Sequence, residues 1–143
     1  MFAYVCVYRL NQDKSGGAWC PSPQVDLTVS GLEWLQINLT ERHVITGVST
    51  QGRFGNGLGA EYVEEYWIEF SRDNGVTWHK WKNRRGNHIL EGNTDTYSIK
   101  YNKLEPPIEC ANLIRLVPYS QHVRTVCLRA ELFGCPCEGT NTT

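Results

Sequence analysis

The sequence predicts an all-β domain, a sandwich or jelly roll, on three observations. Apolar residues alternate with polar ones in short runs, turn signals separate those runs, and nothing longer than a turn shows a convincing 3.6-residue period. With 143 residues, 41% hydrophobic and 11% aromatic, the chain is one domain by length, with enough apolar side chain for a core. Thirteen glycines and six prolines fit many turns between short strands.

Taken in order, Leu35, Ile37 and Leu39 alternate with Gln36 and Asn38, the period of a half-buried strand, and that phase turns Asn38 outward. Residues 44–50 are rich in β-branched side chains and read as the next strand. Tyr66, Ile68 and Phe70 alternate with Trp67 and Glu69, after which Arg72-Asp73-Asn74-Gly75 supplies a hairpin turn. The return strand carries Val76, Trp78 and Trp81, and a further strand alternates Tyr97, Ile99 and Tyr101 with Ser98 and Lys100. Leu104-Glu105-Pro106-Pro107 is expected as a loop or edge, because two adjacent prolines cannot donate to a ladder. Residues 113–117 and 126–133 are the last two strands, the latter with Leu128, Ala130 and Leu132 on one face and Arg129 and Glu131 on the other.

Charge and cysteines narrow the function. A net charge of −1 and a pI near 6.4 give no global field to recruit nucleic acid or an acidic membrane. Six cysteines, at 6, 20, 110, 127, 135 and 137, form no C-x-x-C pair, and Cys135-Pro136-Cys137 is too isolated for a zinc site. Together with the sequons at Asn38 and Asn141, they point to an extracellular, disulfide-bonded protein. Residues 1–8 are apolar but lack the basic start of a secretion signal, and no window reaches the ~18 apolar residues of a membrane span. The expectation is a fragment of a longer secreted or membrane-anchored chain.

The chemistry-bearing residues describe a binder. Thr50-Gln51-Gly52-Arg53 is followed, across a glycine-rich tip, by Glu61. Arginine offers a planar fork for carboxylates and carbonyls, and glycine lets a ligand approach the backbone. The plainer reading has Arg53 and Glu61 pair with each other, an exposed bridge worth ~0–1 kcal/mol. The run His79-Lys80-Trp81-Lys82-Asn83-Arg84-Arg85 interleaves rings and cations as a nucleic-acid strip would. Strand alternation instead makes it a core tryptophan beneath a solvated basic face. The four histidines form no H-x-x-x-H pair and read as surface or turn residues, and no nucleophile elbow or phosphate loop occurs. No catalysis, cofactor or metal is expected. Phe54 and Leu58, in the glycine-rich loop, either fold inward or dip into a bilayer.

Gly17-Ala18-Trp19-Cys20, residues 34–39, Thr50-Gln51-Gly52-Arg53, Ser71-Arg72-Asp73 with Trp78, and residues 127–135 follow one another as in discoidin domains. Arg84-Arg85-Gly86, Leu90-Glu91-Gly92-Asn93 and Leu104-Glu105-Pro106-Pro107 resemble, more specifically, the discoidin domain receptors, which are collagen-activated receptor tyrosine kinases. The resemblance spans residues 9–135, leaving 1–8 unmatched and 136–143 as a disordered tail.

That resemblance implies a discoidin-type jelly-roll barrel of about eight antiparallel strands, with loops at one end forming a trench for triple-helical collagen. Arg53 and Glu61 fall on trench positions, Thr125 on its rim, and Gly16 stands where the family has an aspartate. Cys20 and Cys127 match the family's internal disulfide. The family's first strand and loop, upstream of Arg9, are missing or replaced. Residues 1–8 have the character to fill in as a strand, with Cys6 reaching Cys135 or Cys137 and Cys110 left as a buried free thiol. The implied partner is collagen, at the surface of a cell, for a dimeric parent receptor whose kinase is not in this chain. The rival reading is a lipid-binding C-type domain, as in clotting factors, whose Phe54 and Leu58 enter an anionic phospholipid surface. A glycan-binding discoidin lectin is a third.

Overall fold

The computed structural model describes residues 2–4, 17–54 and 59–137. Among them are seven strands: β1 (Phe2–Tyr4), β2 (Leu35–Gln51), β3 (Glu65–Ser71), β4 (His79–Lys80), β5 (Leu90–Glu91), β6 (Lys100–Tyr119) and β7 (Arg129–Pro136). They form one antiparallel sheet in the order β1-β7-β2-β6-β3-β4, with β5 beside β3. Within residues 1–8, the described Phe2, Ala3 and Tyr4 do form a strand, pairing with Gly134, Phe133 and Leu132.

Two long strands make this single sheet into two layers. The first part of β2 pairs with the end of β6, whose other neighbour is β3. The second part of β2 pairs with the start of β6 and with β7. Between these parts the β2–β6 ladder slips register repeatedly from Asn38 to Gly47, and Thr40 and Cys110 adopt positive φ of 62° and 54°. Strands that turn such corners through bulges pass from one layer to the other. Both layers turn their apolar faces to one core. Leu35, Ile37, Leu39, Tyr66, Ile68 and Ile114 come from the first, and Ile45, Val48, Ala130 and Leu132 from the second.

The corner also corrects the reading of the prolines. Residues 104–107 are not a loop but lie inside β6. The physical objection to them was sound, and the fold meets it locally. The β2 ladder jumps from Ile45↔Ile108 to Gly47↔Lys103, and β3 reaches only as far as Leu113. Neither proline therefore occupies a regular ladder position. Two other strands begin later than expected: β4 is only His79–Lys80, and β6 starts at Lys100, leaving Val76, Tyr97 and Ile99 exposed outside strands.

The hairpin after β3 is as expected, with Asn74 at φ 58° and Gly75 at φ 90°. Its organiser is Asp73, whose Oδ1 accepts from the Thr77 N–H at 2.9 Å and the Ser71 hydroxyl at 2.8 Å. The Thr77 N–H, with the Ser71 hydroxyl, holds the Asp73 carboxyl down at about 2, from an ordinary 3.8. A lowered native pKa means that this contribution to stability is complete above the unfolded value of 3.8 and disappears as pH falls through 2. An NMR titration of the Asp73 carboxyl should have its midpoint near 2. Asp73→Asn should flatten the stability loss between about pH 4 and 2, and a midpoint near 4 would show the turn does not hold this carboxylate.

The cysteines differ from the expectation in two places. Cys110 is not free but bonded to Cys137, with Cα atoms 5.3 Å apart. That pairing removes Cys137 as a partner for Cys6, which lies outside the described residues, as do Asn141 and the tail beyond residue 137. The bond sits at the corner, where Cys110 has its positive φ and the Cys137 N–H donates to Arg42 O at 2.9 Å. Cys135 is an exposed free thiol. Among the histidines, His43 is buried, not superficial, with Nδ1 2.9 Å from the Glu41 carbonyl.

Candidate functional site, a loop-borne binding surface

At the end of the sheet away from that corner, residues 17–34, 52–54, 59–64, 92–99 and 120–128 gather. They meet because β2 ends at Gln51, opposite the start of β7 at Arg129, and Thr50 faces the start of β6 at Lys100. Asn93 closes the cluster, donating to the Thr50 and Ser98 carbonyls at 2.9 and 3.0 Å. Gln51 adds a bond from its amide to Tyr97 O at 2.6 Å.

Arg53 and Glu61 are brought together here. The Arg53 N–H donates to Glu61 O at 3.0 Å, and Arg53 Nη1 lies 3.8 Å from Glu61 Oε1, with the two side chains 44% and 37% exposed. Gly52 makes the approach possible. A Cβ there would stand 2.7 Å from both the Glu61 carbonyl oxygen and Tyr62 Cβ, and 3.1 Å from Thr96 Cα, so any larger residue would force the strands of the loop apart. The ion pair is long and half-exposed, which keeps its own contribution to stability at about 0–1 kcal/mol. It orients two groups at the surface without consuming their hydrogen-bonding capacity.

The disulfide implied by the resemblance is present. Cys20 and Cys127 are bonded, with Cα atoms 4.3 Å apart, next to a two-way backbone bridge between Trp19 and Leu128 at 2.9 and 2.8 Å. Glu61 Oε2 lies 3.8 Å from Cys127 Sγ; the oxidised sulfur has no proton to donate, so this is proximity and not a hydrogen bond. Thr125 is exposed two positions earlier, its hydroxyl accepting from Gln24 Nε2 at 3.3 Å. It thus belongs to the rim made by the first and last loops, while Arg53 and Glu61 belong to the middle one. Gly16 and Leu58 lie outside the described residues. Phe54 is half-buried, its carbonyl accepting from the Thr96 hydroxyl at 3.4 Å. The sequon Asn38 is exposed on β2, far along the strand, with Oδ1 accepting from the Thr40 N–H at 2.8 Å.

Two arginines that the sequence pattern did not single out build the surface from below. Arg129 is 3% exposed and donates from Nε to Gly52 O at 2.7 Å and from Nη2 to Thr96 O at 3.1 Å. Strand alternation does put it on the face opposite Leu128 and Ala130, but that face is roofed by loops at this end. Arg124 donates to Ala60 O at 2.7 Å, pairs with Glu64 at 3.0 Å and stacks over Tyr62 at 4.2 Å. One guanidinium therefore grips the segment on both sides of Glu61. Only the general preference of arginine for multiple carbonyls pointed to either role.

The F5/8 type C domain profile matches residues 3–132. Discoidin domain-containing receptor A of Caenorhabditis elegans is 45% identical over 131 residues, which are 92% of this chain and 17% of that protein. Human epithelial discoidin domain-containing receptor 1 is 40% identical over 127 residues, 89% of this chain and 14% of the receptor. The chain thus spans less than a fifth of the length of these receptors. Recombinant discoidin II of Dictyostelium discoideum superposes with a TM-score of 0.70 at 24% identity, over 93% of this chain and 51% of that one, a likeness of fold. The two-layer antiparallel sheet, the loop cluster and the sequence agree: this chain belongs to the F5/8 type C, or discoidin, domain family, a binding fold.

Proposed function

We propose that this chain is the extracellular ligand-recognition domain of a discoidin domain receptor-like protein, and that it binds triple-helical collagen through the Arg53–Glu61 end. The observation that carries the reading is the Arg53 fork itself, half-exposed and oriented by Glu61 on a loop braced from beneath by Arg129 and Arg124. A collagen triple helix presents backbone carbonyls between its outward-pointing X and Y side chains, with no groove or cavity of its own. A planar, pre-oriented donor suits it better than a hydrophobic pocket. Thr125, beside Cys127, supplies a polar rim, and the 40–45% identity to discoidin domain receptors supports the same class of ligand. The two disulfides fit an oxidising, extracellular setting. We place a glycan on Asn38, which is exposed and distant from the loops.

The test is solid-phase binding of the purified chain to native collagen, with the same collagen heat-denatured as control. Binding is expected to the native form alone. Arg53→Ala should weaken it at least about tenfold, the loss of about one charge-assisted hydrogen bond, while the melting temperature stays within about 2 °C because the exposed bridge is worth little. Arg53→Lys keeps the charge but not the fork and should fall between the two. Unchanged affinity in Arg53→Ala, or equal binding to denatured collagen, would remove Arg53 from the recognition surface. Pelleting with anionic vesicles would favour the lipid reading instead.

A further inference from the structure

The basic run at 79–85 plays no part in the collagen reading. From Arg72 to His88 the chain carries five lysines and arginines against one carboxylate, Asp73, although the protein as a whole carries 14 against 15. The alternation read from the sequence is present. Trp81 is 5% exposed, with its indole N–H donating to Pro106 O at 2.8 Å, while Lys80 and Lys82 are exposed on either side of it. Asp73 is committed to its own turn. The field of the two lysines is felt nearby: burial, and then Lys80 and Lys82, lower the pKa of His88.

After Trp81 the chain forms a turn that displays cations without using them. Asn83 Oδ1 accepts from the Arg85 and Asn87 N–H groups at 2.9 and 3.0 Å. The Asn83 N–H donates to Asn87 O at 2.8 Å, and the Gly86 N–H to Asn83 O at 2.9 Å, with Gly86 at φ 86°. The loop is held by asparagine and glycine alone. Arg84 is 72% exposed and only 3.6 Å from Glu105, a carboxylate that Lys103 also approaches at 3.7 Å. The side chains of Lys82 and Arg85 have no ion pair or hydrogen bond among the described residues. A rigid turn presenting Lys82 and Arg85 without carboxylate partners, and Arg84 on a carboxylate it shares with Lys103, is preorganised for an anion, since little ordering cost remains.

We propose that Lys82, Arg84 and Arg85, with Lys80 beside them, form a second binding surface, distinct from the Arg53 end, for a sulfated polysaccharide. Charge complementarity selects a polyanion, and the rings select among polyanions. Trp81 is buried, Trp78 is covered by the Arg115 guanidinium at 3.7 Å, and His79 packs on Phe70 at 5.4 Å. No platform is left for stacking bases. The turn itself, Asn83-Arg84-Arg85-Gly86-Asn87, has no apolar side chain to enter a bilayer. A soluble polymer dense in sulfate needs neither.

The experiment is retention of the intact chain on immobilised heparin at about 0.15 M salt, with fully desulfated heparin and phosphatidylserine vesicles as parallel arms. We expect retention on heparin that higher salt releases, and none on the desulfated polymer. The triple variant Lys82→Ala/Arg84→Ala/Arg85→Ala should bind heparin roughly tenfold or more weakly, with an unchanged melting temperature and unchanged collagen binding. Flow-through of the native chain, equal retention of the triple variant, or equal retention on desulfated heparin would each overturn the proposal. Binding to vesicles but not heparin would replace it with a membrane surface. Since the triple variant spares Arg53 and Glu61, failure here and failure of the collagen reading are separable.

Discussion

Arg129→Met is expected to lower stability by about 2–5 kcal/mol, because it strands two buried carbonyls that lose their donors together. Nε serves Gly52 O at 2.7 Å and Nη2 serves Thr96 O at 3.1 Å, from a residue 3% exposed. Methionine fills much of the same volume, so the loss is one of hydrogen bonding more than of packing. Arg129→Lys should recover only part of it, since one ammonium cannot reproduce a fork aimed at two separate loops. The effect on function should exceed the effect on folding. Gly52 precedes Arg53, and Thr96 lies against the same backbone, so releasing both carbonyls frees the segment that carries Arg53 and, under the collagen proposal, its contact with ligand. Urea unfolding gives the first quantity, and collagen binding under conditions where the variant is fully folded gives the second. A stability loss below about 1 kcal/mol would show that water replaces the guanidinium, and full affinity would show that the loop does not depend on it.

Arg129 also marks the limit of what periodicity reveals. A period of two identifies which side chains share a face, and it placed Leu35, Ile37 and Leu39 in the core, where they are 7%, 3% and 0% exposed. It cannot say whether the opposite face meets water or a loop returning from elsewhere in the chain. For Glu131 the outer face is half-open, and for Arg129, two residues earlier on the same face, it is closed. The same gap explains Pro106-Pro107. Their inability to donate was correctly read, but a bulge that lets a strand contain them is a property of two strands at once. The hairpin at Asn74-Gly75 was legible because its cause is local. Arg53 and Glu61 were legible as a pair through the glycine-rich interval between them, and it is Gly52, just before that interval, where the Glu61 backbone comes closest. Arg124 was not, because the carbonyl it serves is 64 residues away. The six cysteines allow several pairings, and composition alone could not have joined Cys110 to Cys137.

The two disulfides should separate folding from recognition. Cys20 and Cys127 are 107 residues apart in sequence, Cys110 and Cys137 only 27. In the chain-entropy view, opening the longer loop costs about 4.8 kcal/mol and the shorter about 3.6 kcal/mol. The Cys20→Ser/Cys127→Ser protein should therefore melt roughly 10–20 °C lower than the native chain, and only slightly lower than Cys110→Ser/Cys137→Ser. Their effects on ligand should differ far more. The Cys20–Cys127 bond fixes the first loop to the last and sits 3.8 Å from the Glu61 carboxylate. The Cys110–Cys137 bond lies at the other end of the β2–β7 ladder, which runs from Gln51↔Arg129 to His43↔Pro136, roughly 25 Å away. Well below both melting temperatures, collagen affinity should drop at least about tenfold in the first variant and stay within about twofold in the second. Equal losses in both would mean that affinity follows global stability, and that the loop end is not an independently braced surface. A selective loss in the first would mean that the clamp between Cys20 and Cys127 orders the loops around Arg53 and Glu61 as well as closing the chain.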